Sequence, residues 1–230
     1  MVNFFILHLD TTSPSNISIS LEGGSQFAVQ QLINANIGTT DSNTTGYQMK
    51  LWGDVDLNFD TNIQTTEMTS TWITYSTTKQ LKLSDGDGNK TINVKIRDDV
   101  HNESAIATDS ILLDMTMPVV SVTNSDVSKI SKITGKNVAS FSFTVDSVFD
   151  EFKIKCVSST GASHDTGTVI PINGGSVNMS GTGIFPANTP IDCQIYGVDL
   201  ETASSGDGSK IIKVYVRDKS GNWSSWWYFN

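Results

Sequence analysis

The stretch that decides the fold is "GDGNKTINVKIRD", residues 86–98, because the chain repeats it as "GDGSKIIKVYVRD" at residues 206–218. In each copy a Gly-Asp-Gly turn leads into residues that alternate between apolar and polar. An Asn and a Ser then recur at the same offset in both copies, as Asn102 and Ser104 and again as Asn222 and Ser224. Alternation with this period predicts a half-buried strand, and its repetition predicts two domains of one fold.

The residues that follow each strand predict a tight turn. In the second copy Asp218, Gly221 and Asn222 are residue types that favour turns. The first copy has His101 where the second has Gly221. Because glycine takes positive φ far more readily than histidine, we expect the two turns to differ.

A second pair of matching segments sets the domain boundary. "LDTTSP" at residues 9–14 corresponds to "LDMTMP" at residues 113–118, and each precedes a strand-like run. We place the join at Leu113 and Asp114, which gives domains of residues 1–113 and 114–230. Each half supplies several short strands separated by turn residues, and about seven strands in roughly 100 residues are typical of an immunoglobulin-like sandwich. The predicted fold class is all-β, with two tandem immunoglobulin-like β-sandwich domains.

The opening stretch "MVNFFILHLD", residues 1–10, is predicted to form the first strand. It lacks the basic n-region of a signal peptide, and its apolar run is too short for an h-region. No stretch of the chain approaches the roughly 20 apolar residues of a membrane helix. We therefore expect no export signal and no membrane insertion.

The net charge argues against one class of binding partner, and the two cysteines raise the question of a disulfide. The formal net charge of -9 argues against a nucleic-acid partner, which needs a basic stripe. The two cysteines, Cys156 and Cys193, both lie in strand-like runs. Without an export signal we expect buried free thiols rather than a disulfide, although a disulfide stays open.

The repeated motifs resemble those of immunoglobulin-like repeats in bacterial surface proteins and in structural proteins of tailed bacteriophages. The matching residues lie at 10–14, 86–104 and 206–224. The second half, from residue 150 to 224, looks especially like tail-associated phage proteins implicated in adsorption. The resemblance implies a sandwich fold and a virion role. Because the matching residues are turn and core positions, they specify the fold better than the function.

Catalytic arrangements are weakly supported by the sequence. Ser163, His164 and Asp165 are consecutive, and in an extended segment neighbouring side chains point to opposite faces, which prevents a relay. Carboxylates brought together only in three dimensions, such as Asp54 with its neighbours Asp56 and Asp60, remain an alternative, but a solvated acidic loop is the simpler interpretation. We expect no enzymatic activity.

Metal and cofactor sites are equally weakly supported. "DGDGN", residues 85–89, resembles the start of a calcium loop but lacks its glycine at the sixth position and its glutamate at the twelfth. The three histidines lack partners at ligand spacing. We expect a hairpin turn at residues 85–89, with no metal and no cofactor.

Aromatic residues are the remaining binding candidates. In a strand, the adjacent Trp226 and Trp227 face opposite sides, so one of them should leave the core. An exposed tryptophan suggests stacking on a sugar or packing against another chain, while the alternative is that it caps the sandwich or covers the domain interface. The candidate binding residues are Trp72, Tyr75, Trp223, Trp226, Trp227 and Tyr228.

The functional hypothesis is a non-enzymatic structural virion protein of a tailed bacteriophage, located in the tail or baseplate. It would be assembled in the host cytoplasm, dock on other virion proteins and aid host adsorption, with a homo-oligomeric arrangement through the particle. One alternative is a capsid decoration protein. Another is a carbohydrate-binding or adhesion module at the bacterial cell surface, whose ligand would be cell-wall carbohydrate.

Overall fold

A computed structural model describes residues 5–224 of the chain. The fold is all-β, with 41% of the residues in strands and 5% in helices, as the sequence predicted. The chain divides into two compact units, Met1–Met115 and Thr116–Asn230. Within the described residues, no helix has the length and apolar character needed to cross a membrane.

Unit 1 is a sandwich of two sheets whose short strands alternate with turns. One sheet has the order β1-β3-β6, and the other has the order β2-β8-β7-β4-β5. All pairings are antiparallel except that of β2 with β8. The strands are β1 (Ser18–Leu21), β2 (Phe27–Ala28), β3 (Leu32–Gly38), β4 (Gln48–Gly53), β5 (Ile73–Thr74), β6 (Thr78–Lys82), β7 (Gly88–Arg97) and β8 (Ala107–Leu113).

The core of unit 1 follows the alternation of its strands. Ile92, Val94 and Ile96 of β7 are fully buried, as their spacing predicted. On the neighbouring strand β4, Met49 and Leu51 face the same core. Side chains two residues apart share one face of a strand, so the residues between these positions point to the opposite, outer face of the sheet.

Unit 2 repeats this plan with one α-helix added, whereas unit 1 has a short 3-10 helix at Glu22–Gly24. One sheet has the order β14-β10-β9, and in the other β11 pairs with β15 along one side and with β13 and β12 along the other. The elements are β9 (Val120–Val122), β10 (Val138–Val145), β11 (Phe149–Val157), β12 (Thr168–Val169), β13 (Ser180–Phe185), β14 (Ile191–Tyr196), α1 (Gly197–Ala203) and β15 (Ile211–Asp218).

The core of unit 2 is aromatic. The ring of Phe149 stacks on that of Phe185 at a centroid distance of 4.8 Å, and Phe143 packs against Phe152 at 5.3 Å. Cys156 and Cys193 are buried free thiols, which confirms the expectation for both. Offset and tilted ring pairs of this kind stabilise a core beyond the area they bury.

The repeated Asp and Asn residues build a turn around a buried carboxylate. Oδ1 of Asp98 accepts hydrogen bonds from the backbone N–H groups of Val100 at 3.0 Å and Asn102 at 2.8 Å, while Oδ2 accepts from the Asn102 side-chain amide at 2.8 Å. Asp218 binds Asn222 in the same way, through the backbone at 2.8 Å and the side chain at 3.0 Å. The motif therefore repeats because it closes the same turn twice.

The expectation that the two turns differ is wrong. His101 takes a φ of 71°, in the left-handed region that Gly221 also occupies at 105°. The N–H of His101 donates to the carbonyl of Asp98 at 3.2 Å, and that of Gly221 donates to the carbonyl of Asp218 at the same distance. The turn bonds and the buried carboxylate hold this backbone in place, so the histidine adopts a conformation that it otherwise disfavours.

The prediction of a first strand at residues 1–10 is wrong for the described part, residues 5–10, which contain no strand. β1, which pairs with β3, and β2, which pairs with β8, are the first strands of the two sheets, and residues 5–10 pair with neither. Residues 1–4 lie outside the described residues.

Candidate functional site

The aromatic candidates that the structure describes lie mostly on the outer faces of the sheets built on β4 and β7 and on β11 and β15. In unit 1, Gln48 pairs with Arg97, and Lys50 lies two residues further along β4. In unit 2, Glu151 pairs with Arg217, and Lys153 lies two residues further along β11. The same lysine and arginine positions therefore recur on the outer face of each unit.

In unit 1 this cation pair holds Trp72, which directly precedes the edge strand β5. Lys50 Nζ lies 4.8 Å from the centroid of the Trp72 ring, and Arg97 Cζ lies 4.4 Å from it. Arg97 Nε donates to Gln48 Oε1 at 2.7 Å, which fixes the guanidinium over the ring. Cation–π contacts at these distances are favourable, and Trp72 remains partly exposed.

Lys95, which pairs with Lys50 across β4 and β7, brings two carboxylates to this first patch. Lys95 Nζ pairs with Glu67 at 2.6 Å and with Glu103 at 3.2 Å. The hydrogen bond to Glu67 raises the pKa of Lys95 above its ordinary value. The patch on unit 1 thus combines one aromatic ring with a fixed arrangement of both charge signs.

In unit 2 the equivalent cations hold Trp223, which reaches them from the turn after β15. Lys153 Nζ lies 4.8 Å from the Trp223 centroid, and Arg217 Cζ lies 5.8 Å from it. Asp150 and Glu151 each bind Arg217 at 3.2 Å. Trp223 is partly exposed, as Trp72 is, so each unit presents a tryptophan held by one lysine and one arginine.

The imidazole of His164 completes the second patch. Its ring stacks on Trp223 with a centroid distance of 4.6 Å and an interplanar angle of 14°. Lys155, which is buried, donates to the carbonyls of His164 at 2.7 Å and Thr166 at 3.0 Å and thereby anchors the loop that carries the histidine.

The structure contradicts the assumption that Ser163, His164 and Asp165 form an extended segment. Residues 164 and 165 lie in a turn rather than in an extended segment. His164 Nε2 consequently lies 3.1 Å from Asp165 Oδ1, although the two side chains were expected to point apart. Ser163 uses its carbonyl to accept from Thr166, and the imidazole contacts Trp223 instead of forming a relay.

The sequence predicted both tryptophans but missed their partners. Trp72 and Trp223 come from unrelated loops, and the position that matches Trp223 in unit 1 is Glu103. The repeat nevertheless indicates two of these partners, because Arg97 and Arg217 occupy equivalent positions in its two copies. Strand register was needed to add Lys50 and Lys153.

The remaining aromatic candidates divide into one core residue and three that cannot be placed. Tyr75 packs against the core of unit 1, and its hydroxyl donates to the carbonyl of Ile37 at 3.4 Å. Burial raises the pKa of Tyr75. Trp226, Trp227 and Tyr228 lie outside the described residues.

Each of the three acidic candidates binds a different partner. Asp56 pairs with Lys82 at 2.7 Å and Asp60 pairs with Lys79 at 2.7 Å, while Asp54 accepts from the N–H of Thr91 at 2.8 Å. The hydrogen bond from Lys82 lowers the pKa of Asp56.

The expectation of a hairpin turn at residues 85–89 is wrong, because the flanking strands β6 and β7 belong to different sheets and do not pair with each other. Residues 85–87 instead form a bend that connects the two sheets, in which Asp85 Oδ1 accepts from the side-chain amide of Gln31 at 2.7 Å. Across residues 5–224, no group of three or more His, Cys, Asp or Glu side chains is placed to hold a metal ion.

Comparison with known proteins gives likenesses to solved structures only. No family model matches the sequence, and no curated protein matches it. The chain is similar to the fibronectin(III)-like modules of Clostridium thermocellum CbhA, with 10% identity, a TM-score of 0.43, and coverage of 90% of this chain and 89% of that one.

Two further solved structures are similar at lower TM-scores. The chitinase ChiA74 from Bacillus thuringiensis has 12% identity and a TM-score of 0.32, with 90% of this chain covering 30% of that one. The D00-D0 domain of intimin has 10% identity and a TM-score of 0.32, with coverage of 91% and 97%.

Proposed function

We propose that the protein is a non-enzymatic structural component of a tailed-bacteriophage virion, in the tail or baseplate, that docks on neighbouring virion proteins and aids adsorption to the host. Its motifs at residues 86–104 and 206–224 support the virion role through their resemblance to phage structural repeats. The observation that carries the docking role is the pair of equivalent tryptophan patches, one on each unit.

The chemistry of the two patches suits contact with a protein surface. Trp and Arg dominate the binding energy of protein interfaces, especially where a ring of polar groups surrounds them. Trp72 with Arg97, and Trp223 with Arg217, provide this combination, with carboxylates on the neighbouring Lys95 in the first patch and on Arg217 itself in the second.

Both patches are also held in position before any partner binds. The cations over each ring, together with the hydrogen bond from Arg97 to Gln48 and the ion pairs from Arg217 to Asp150 and Glu151, restrict the side chains. A surface that is already ordered loses less conformational entropy on binding. Two such patches on one chain, repeated over many copies in a particle, would make weak single contacts sufficient.

The test is the association of purified protein with particles that lack it. Trp72→Ala and Trp223→Ala should each weaken association by about tenfold or more, the ordinary effect of losing an interface tryptophan. Ile133→Ala is the matched control, because Ile133 is 73% exposed and lies in the connection between β9 and β10, which belong to the other sheet of unit 2. Thermal unfolding must show that all three variants remain folded.

The outcome also separates the alternatives. Unchanged association of both tryptophan variants would remove the docking role of the patches. Specific binding of the isolated protein to cell-wall polysaccharide, lost in Trp223→Ala, would favour the carbohydrate-binding module instead. Association with heads but not with tails would favour a capsid decoration protein.

A further inference from the structure

Unit 2 carries a basic loop, "KISKITGK" at residues 129–136, in the connection between β9 and β10. Its lysines, Lys129, Lys132 and Lys136, are exposed, and the loop contains no acidic residue. Among residues 5–224, every other lysine and arginine has a partner for its side chain, whereas these three have none. The cations that lack a partner are therefore concentrated in this one loop.

The sandwich itself does not require a basic loop at this position. In unit 1, β1 pairs with β3 as β9 pairs with β10 in unit 2. The counterpart connection, residues 22–31, contains one glutamate and no lysine or arginine. The residues outside the described range, 1–4 and 225–230, contain no Asp or Glu, so they supply no acidic side chain to the loop.

Backbone hydrogen bonds hold the tip of the basic loop in a turn that presents Ile133. The N–H of Ser131 donates to the carbonyl of Lys136 at 2.8 Å, and the N–H of Lys136 donates to the carbonyl of Ile133 at 2.9 Å. Gly135 takes a φ of 84°, which glycine adopts without strain. Ile133 is 73% exposed and follows Lys132 directly in the chain. The tip thus presents one apolar side chain flanked by two lysines.

Both ends of the basic loop are fixed to unit 2. Ile130 packs against the core of this unit, and the carbonyl of Asn137 accepts from the N–H of Gly197 at 2.8 Å. Gly197 also lies so close to the carbonyl oxygen of Ser131 that a Cβ would not fit. Because the loop is held before any partner binds, its tip loses less conformational entropy on binding.

We propose that residues 129–136 dock unit 2 on an anionic lipid surface, with the lysines at the phosphate headgroups and Ile133 in the apolar layer below them. Clustered lysines are attracted to anionic lipids, and an apolar side chain beside them suits the boundary between headgroups and acyl chains. The formal net charge of -9 does not prevent this contact, because salt screens exposed charges that lie more than about 8–10 Å from the surface.

Ile133 favours lipid over other anionic partners. A phosphate polymer in water attracts the lysines but offers no apolar layer to an isoleucine. The contact involves no membrane-spanning segment, and neither tryptophan patch contributes to it. The inference is therefore independent of the proposed virion function.

The first test is flotation of the full chain with vesicles. Vesicles of equal parts phosphatidylcholine and phosphatidylglycerol should carry the wild type upward at low ionic strength, and added salt should release it. Vesicles of phosphatidylcholine alone should leave it behind. Failure to float with the anionic vesicles, or equal flotation with the neutral ones, would overturn the proposal.

Charge variants test whether the loop or the whole chain responds to the anionic surface. Lys132→Gln and Lys136→Gln should each weaken vesicle binding about fivefold. Lys79→Gln is the matched control, because it removes the same charge from a lysine of unit 1 that pairs with Asp60. If Lys79→Gln weakens binding as much as Lys132→Gln does, net charge alone is responsible and the proposal is rejected.

Variants of Ile133 distinguish lipid from a purely ionic partner. Ile133→Ser should weaken vesicle binding about tenfold, whereas Ile184→Ser should not, although Ile184 is 88% exposed. Ile133→Cys carrying an environment-sensitive fluorophore should shift to the blue with anionic vesicles, and labelled Ile184→Cys should not. The native Cys156 and Cys193 are buried, which limits labelling to the new thiol. A label at residue 133 that stays in water while the lysine variants lose binding means recognition of phosphate groups only, which rejects the lipid proposal.

The same variants keep this proposal separate from the virion role. Circular dichroism should show that each variant is folded. Lys132→Gln and Ile133→Ser should associate with particles that lack the protein as the wild type does, because neither residue belongs to a tryptophan patch. Loss of both vesicle binding and particle association in these variants would contradict a separate lipid-docking loop.

Discussion

Replacing Asp98 by alanine should lower the free energy of unfolding of unit 1 strongly, although Asp98 is a charged residue in a turn. Asp98 is 1% exposed, and its carboxylate accepts three hydrogen bonds of 2.8–3.0 Å within the turn that follows β7. The substitution leaves the backbone N–H groups of Val100 and Asn102 without this acceptor. The turn also carries His101 in a left-handed conformation that these bonds help to hold.

The expected size follows from the bonds lost. A hydrogen bond to a charged group contributes about 1.5–3 kcal/mol, and three bonds to one carboxylate are not additive, so the loss should be about 3–5 kcal/mol. For a domain of this size each kcal/mol shifts the midpoint by about 4–8 °C, so unit 1 should melt at least about 12 °C lower.

Urea unfolding combined with hydrogen exchange measures the effect and locates it. Amides of residues 96–104 should lose protection in Asp98→Ala, while the equivalent residues 216–224, where Asp218 is intact, should retain it. Asp99→Ala is the matched control, because the neighbouring Asp99 is exposed. If Asp98→Ala and Asp99→Ala both shift the free energy of unfolding by less than about 0.5 kcal/mol, the buried carboxylate does not support the turn.

Three further substitutions or treatments test separate parts of the structure. His101→Gly should stabilise unit 1 by about 1 kcal/mol in urea unfolding, because glycine adopts the φ of 71° without strain; destabilisation would refute this. Gly53→Ala should destabilise unit 1 by at least about 2 kcal/mol, since φ is +143° and the new Cβ would meet the carbonyl oxygen of Thr91; a neutral result would argue against this packing. Burial raises the pKa of the Cys193 thiol to about 12, so its alkylation by iodoacetamide at neutral pH should require unfolding; equally rapid labelling of native protein, read by mass spectrometry, would contradict the burial.

Local patterns predicted much of the fold because strand alternation and turn formation depend on residues that are close together in the sequence. The buried face of β7 follows from the spacing of Ile92, Val94 and Ile96, and the turn after it follows from Asp98 and Asn102. The same local reasoning failed at His101, since a backbone held by several hydrogen bonds can override a residue's own preference.

Features that depend on pairing between distant segments could be predicted only in part. The tryptophans were identified by type, but the cations beneath them depend on the register of β4 with β7 and of β11 with β15. Residues 5–9 have the composition of a strand, yet whether they pair depends on which sheet edges other strands already occupy.

Immunogold electron microscopy of a lysate from the source organism, with antibody raised against the purified protein, tests the central claim most directly. The proposed virion role predicts gold label on phage particles, at tails or baseplates. Label confined to cell envelopes, with particles unlabelled, would contradict that role and favour a module of the bacterial surface.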